Sequence, residues 1–245
     1  MDHSVRLEHR PWLLGIWVTA GIVACMRFLV LLPCVLSVLA YGQQPSGEAT
    51  PATMTKLVVR LESPDVPKAS FPSLPKTMYR AGTRYCRIEE LPDTEHAIHL
   101  LIIINEPNVW LANRLDKTAR HQIDPGPTFN CRMTIFTDIE SGEAALDTSN
   151  PLTDLEFGRE LEYFKKKGAT LVSGPNLQGK ATKGYTLQIS DSRLFLFTGG
   201  IPEHPVAVVR QRNAKREIYW YGSYDDVPFD GKLFEKPPGK IEEVK

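Results

Sequence analysis

Two kinds of hydrophobic pattern divide this chain. From Met26 to Gly42, "MRFLVLLPCVLSVLAYG" is nearly unbroken apolar sequence, whereas from Lys56 onward apolar and polar residues mostly alternate. Alternation at period 2 sends successive side chains to opposite faces and marks half-buried strands. "KLVVRLE" (Lys56–Glu62) opens the ordered part, and "TMYRAGTRYCRIEE" (Thr77–Glu90) is a β-rich pair of runs around Gly82. "AIHLLIIIN" (Ala97–Asn105), "VWLANRL" and "TARHQID" follow, with the turn signals "NEPN" and "DK" between them. No 30-residue strand–helix–strand rhythm appears, so an antiparallel meander is predicted.

One helix interrupts the strands. Thr153 reads as its N-cap with Glu156 completing a capping box, and Phe157, Leu161 and Phe164 share one face at i, i+4, i+7. Lys165, Lys166 and Lys167 suit the negative end of the helix dipole, and Gly168 is placed to end the helix at C′. Strands resume with "GYTLQIS", an Asp191-Ser192 turn, "RLFLFTGG", "PVAVVRQ", a turn at Arg212 to Ala214, and "REIYWYG".

The runs Leu101–Ile104 and Leu194–Phe197 are apolar on both faces, which a sheet wetted on one side does not tolerate. The pattern therefore predicts a mainly β (α+β) domain, a curved antiparallel sheet or unclosed half-barrel with one principal covering helix. An apolar interior enclosed this way would be lined by Leu101, Ile103, Trp110, Leu187, Leu194, Leu196 and Trp220.

The apolar run near the start has the anatomy of an export signal. Arg27 supplies the charge, Phe28 to Leu39 the apolar core, and Ala40-Tyr41-Gly42 the small-residue site, so cleavage falls between Gly42 and Gln43. The upstream segment 1–25 reads as a gene-start overcall, with the signal occupying 26–42. Its competitors are a lipobox-like "IVAC" ending at Cys25 and a retained anchor over residues 12–39. That anchor would carry Arg27 mid-membrane at roughly 2.5 to 3.5 kcal/mol. The expected location is periplasmic or secreted, with membrane attachment only through an uncleaved leader. Residues 43–54, polar and broken by Pro, read as a flexible linker, and 55–245 as a single β domain.

Composition changes the picture in two places. The chain has 29 basic and 29 acidic residues, and removing Arg6, Arg10, Arg27, Asp2 and Glu8 with the leader leaves it close to neutral. No electrostatic case for nucleic acid follows. Of the four cysteines, Cys25 and Cys34 leave with the leader. Cys86 shares a strand face with Ile88, and Cys131 with Met133 and Ile135, so a Cys86–Cys131 disulfide is feasible in an oxidising compartment. Two buried free thiols are the alternative.

No G-x-S-x-G, H-E-x-x-H, P-loop or G-x-G-x-x-G occurs, so the expectation is a non-catalytic protein without cofactor or metal. His96 and His99 stand three apart on a predicted strand and face opposite ways. His121, Asp124 and Cys131 gather around "DPGP" but fall short of a three- or four-ligand zinc site.

The order of elements and the ending "YDDVPFDGKLFEKPPGKIEE" resemble the LolA-like superfamily of outer-membrane lipoprotein carriers and secreted proteins. Pro228, Asp230, Phe234, Pro237 or Pro238, and Gly239 carry a P-x-D-x-x-x-F-x-x-P-x-G pattern. The stretch from "MYRAGTRYCRIEE" to "FNCR" is similar to bacterial envelope proteins of the same type. The resemblance implies an unclosed antiparallel barrel with helical cover and an apolar concavity for an acyl chain, lipid or lipidated protein. A structural or interaction module with a filled core is the alternative reading, followed by a hydrolase-like enzyme with an unrecognised site.

Overall fold

The computed structural model describes residues 49–68, 70–124, 131–136 and 151–244. The leader, the Gly42/Gln43 cleavage site, the first half of the linker and the "PGP" that follows Asp124 lie outside the described residues.

Twelve described strands form one sheet. They are β1 (Thr53–Glu62), β2 (Lys76–Ala81), β3 (Tyr85–Glu90), β4 (Leu100–Asn105), β5 (Asn108–Asn113) and β6 (Thr118–Ile123), then β7 (Thr170–Leu177), β8 (Lys180–Ile189), β9 (Ser192–Gly199), β10 (His204–Arg212), β11 (Lys215–Pro228) and β12 (Lys240–Glu243). The spatial order is β12-β6-β5-β4-β3-β2-β1-β11-β10-β9-β8-β7, so the ends β12 and β7 do not meet and the sheet stays open. Every pair is antiparallel except β12 beside β6. Sequential neighbours pair from β1 to β6 and from β7 to β11, while β1 with β11 and β12 with β6 are long-range pairings. β1 sits in the middle, between β2 and β11, and joins two wings: β2–β6 and β7–β11.

Several boundaries depart from the sequence pattern. β1 begins at Thr53, and Met54 is already buried, so order starts inside the segment read as linker. The β8–β9 turn is Ser190-Asp191 rather than Asp191-Ser192, because Ile189 pairs with Ser192 and Ser190 takes the left-handed conformation at φ 51°. β7 carries no alternation that would mark it: most of it is exposed at the sheet edge, where no core face selects apolar residues. Pro175 and an irregular register between Ser173 and Asn176 blunt this edge against further pairing.

The helix is shorter than predicted. α1 runs only Glu160–Lys166, preceded by a 3-10 turn at Pro151–Asp154. Gly158 stops the helix from starting earlier, since it adopts φ +84°. A Cβ there would stand 3.2 Å from Arg80 Cδ, so both conformation and space ask for glycine. Glu156 consequently makes no capping box and turns to Arg80 instead. The C-terminal end is a Schellman turn, in which Gly168 N–H donates to Lys165 O and Ala169 N–H to Phe164 O.

Three apolar clusters follow from the two faces of the sheet. The largest lies on the inner face, against α1 and the segments 131–136 and 152–157. The second covers the outer face of the β2–β6 wing, where the C-terminal tail lays Phe229, Leu233, Phe234 and Ile241 over Leu101, Ile103 and Trp110. Gly239 lets the tail pass close to β6, because at φ +121° a Cβ would lie 2.1 Å from Lys117 O. The third, on the outer face of the β7–β11 wing, is built from sheet residues.

Candidate functional site

The candidate site is the inner concavity and its filling. Alternate residues of six strands supply the wall: Leu57 and Val59 from β1, Met78 from β2, Tyr185 and Leu187 from β8, Leu194 and Leu196 from β9, Val208 from β10 and Tyr221 from β11. The filling comes from outside the sheet, chiefly Ile135, Phe136, Leu155, Phe157 and Phe164. Leu155, Phe164, Leu194 and Leu196 are all 0% exposed, so the described interior is packed rather than hollow. We call residues 131–136 and 151–168 the plug.

A disulfide and a buried polar group fasten the plug to β3 and β2. Cys131 joins Cys86 of β3 in a disulfide with a Cα separation of 6.2 Å. The second is a buried polar group centred on Arg80, which points inward from β2 beside Met78. Its guanidinium meets Glu156 Oε2 at 2.7 Å and donates to the carbonyls of Phe157 at 3.0 Å and Cys131 at 3.3 Å. Burial pulls Arg80 below its ordinary pKa and Glu156 opposes that pull.

Glu160, on the first turn of α1, is 0% exposed. It accepts from Tyr221 O–H at 2.6 Å and from Gly158 N–H at 2.8 Å, and its Oε2 has no hydrogen-bond partner. Burial, ahead of the hydrogen bonds that oppose it, pushes this carboxyl up to about 7. Burial also raises the Tyr221 hydroxyl, helped by the adjacent Glu160. An uncharged carboxylic acid is the form such a setting favours.

The solvent side of the plug forms a polar cleft of about 230 Å³ between Arg132, Asp154, Arg159, Glu162 and Lys166. Asp154 already bridges Arg132 at 3.5 Å and Lys167 at 3.9 Å, so much of its charge is internally matched.

The predicted cavity residues do not converge. Leu187, Leu194 and Leu196 meet on the inner face, whereas Leu101, Ile103 and Trp110 lie on the outer face under the tail and Trp220 belongs to the third cluster. A doubly apolar strand has two covered faces, and its residues divide between them. Among the described residues, His121, Asp124 and Cys131 do not form a ligand group of three. His121 contacts Glu243 and Asn108 and stacks on Trp110, while Cys131 is committed to its disulfide. His96 is exposed and pairs with Asp93 at 2.8 Å.

The sequence reading missed Arg80, Glu160 and Tyr221 and gave Glu156 a capping role. Glu160 left one trace, a carboxylate set three residues after Phe157 and four before Phe164, inside the apolar stripe. Arg80 left another, a charge on the same strand face as Met78.

No family model matches the chain, and no curated protein matches it. Among solved structures the chain is similar to an uncharacterized conserved protein from Thermus thermophilus, at 11% identity over 79% of this chain and 91% of that one, with a TM-score of 0.46. It is similar to the MucA/MucB complex of Pseudomonas aeruginosa, at 9% identity over 74% of this chain and 55% of that one, with a TM-score of 0.38. It is also similar to a LolA superfamily protein from Nitrosomonas europaea, at 9% identity over 76% of this chain and 90% of that one, with a TM-score of 0.33.

Proposed function

We propose that this is an exported, non-catalytic envelope protein of LolA-like type, whose half-barrel accepts an acyl chain, a lipid or a lipidated protein in place of its plug. One observation carries the reading. The concave face is filled by a segment separate from the sheet, so the apolar wall stays intact if that segment moves. A wall filled by its own strands would offer no such exchange.

The signal anatomy at Met26–Gly42 supports a periplasmic or secreted location, and the terminal motif Pro228 to Gly239 supports the superfamily reading.

Titration with a fluorescent fatty acid tests the proposal. Wild type should bind it, and Arg80→Met, which removes the charge that ties the plug, should bind more tightly. Leu187→Glu, at a partly buried wall position, should abolish binding while circular dichroism stays unchanged. No binding by wild type or Arg80→Met, with both folded, would refute acyl binding. The complete burial of Leu194 and Leu196 favours the second reading, an interaction module with a permanently filled core, and that result would select it.

A further inference from the structure

The outer face of the β7–β11 wing carries side chains that neither the inner core nor the acyl reading uses. Cross-strand pairing sets them in rows. One row reads Phe197, Ala207, Trp220 and Arg60 across β9, β10, β11 and β1. Beside it run Phe195, Val209 and Ile218, and beyond that Gln188, Arg193, Gln211 and Arg216 across β8 to β11. The small residues of β10 lie between large ones: Ala207 is 0% exposed and Val209 is 3% exposed. Phe195, Phe197 and Trp220 pack against them and are themselves only partly exposed.

The result is a patch of partly exposed rings with a polar border. The Phe195 and Phe197 rings are 6.1 Å apart and inclined by only 6°. Arg193 lies 5.0 Å from the Phe195 ring. Trp220 Nε1 donates to Glu62, the one carboxylate on these rows. Among the described residues no carboxylate pairs with Arg60, Arg193 or Arg216, and all three are exposed. In a chain close to neutral, three guanidinium groups against the single carboxylate of Glu62 are a local excess of positive charge.

We propose that this outer face binds an acidic polysaccharide. The apolar C–H faces of sugar rings stack on flat aromatic side chains, amides serve the hydroxyls, and guanidinium groups take carboxylates in bidentate fashion. The row Gln188, Arg193, Gln211, Arg216 alternates amide and guanidinium. Its two arginines are two strands apart, about 10 Å at ordinary strand spacing, which is the order of two sugar residues. A bilayer is the weaker match, since docking there draws on large apolar groups that stand exposed, and Phe195, Phe197 and Trp220 are only partly exposed. The proposal is independent of the acyl reading, which concerns the opposite face.

Affinity electrophoresis of the exported chain in gels containing polygalacturonate, with dextran as the neutral control, tests it. Wild type should be retarded by polygalacturonate alone. Arg193→Gln combined with Arg216→Gln, or the exposed Arg216→Gln by itself, should weaken retardation, by about tenfold for the pair. Phe197→Leu, which keeps charge and apolar character but loses the ring, should also weaken it. Lys232→Gln with Lys236→Gln removes equal charge elsewhere and should leave it unchanged, with circular dichroism confirming each fold. Absence of wild-type retardation would overturn the proposal, and so would equal loss in the Lys232/Lys236 variant or none in Phe197→Leu. Capture by phosphatidylglycerol vesicles without retardation by polygalacturonate would overturn it in favour of a membrane.

Discussion

The two wings of the sheet are made of the same unit, an antiparallel hairpin with alternating apolar residues, yet their outer faces have opposite fates. In the β2–β6 wing the tail folds back along β6 and buries Leu101, Ile103 and Trp110 beneath Phe234, itself 0% exposed. In the β7–β11 wing Phe195, Phe197 and Trp220 remain partly exposed over Ala207 and Val209. A face with an added cover can bury its large residues completely, whereas an open face screens its centre with its own partly exposed rings. The first arrangement stabilises the fold; the second leaves a surface for recognition.

The comparison breaks most severely if the tail is loosened. Phe234→Ala leaves a cavity between Tyr85, Phe229 and the β4–β5 strands, and should cost about 3 to 5 kcal/mol by urea denaturation. If it costs less than about 1 kcal/mol, the tail is not a structural cover and the contrast between the wings fails.

Reducing the Cys86–Cys131 bond should come next. Its sequence separation of 45 gives up to about 4 kcal/mol in the chain-entropy account. The urea midpoint should fall with reductant, while retardation by polygalacturonate in the folded protein stays the same, because the bond fastens the plug to the β2–β6 wing.

A smaller effect is pH-dependent. Glu160 is held up to about 7 from an ordinary 4.5, first by burial, so the folded chain keeps a proton that the unfolded chain has released. Stability is therefore unaffected below pH 4.5 and declines as pH rises towards 7, by about 3 kcal/mol when ionisation is complete. Glu106, at the β4–β5 turn, is likewise pushed up to about 7, by burial first and by Asp124 second. Glu160→Gln should flatten the decline seen in urea midpoints between pH 5 and pH 8, and a profile unchanged from wild type would exclude Glu160 as its source.

The smallest effect belongs to the open face. Phe197→Leu should change stability by less than about 1 kcal/mol, since a partly exposed ring is replaced by another apolar side chain. A loss as large as that of Phe234→Ala would mean that the β7–β11 face is a core in its own right.

Period-2 alternation by itself located most of the strands, because each hairpin needs only an apolar face and a turn. The end of α1 was equally legible, since Gly168 and the lysines before it act within a few residues. Which face each apolar residue joined was decided only by tertiary structure. Leu194 and Leu101 have the same kind of sequence neighbourhood, yet one meets the plug and the other the tail, because alternation says that a face is covered and not by what. Gly158 in its left-handed conformation, the parallel pairing of β12 with β6, and the contact of Arg80 with Glu156 all join residues distant in the chain. Such contacts leave no local period, since they depend on how the whole sheet curves around its plug.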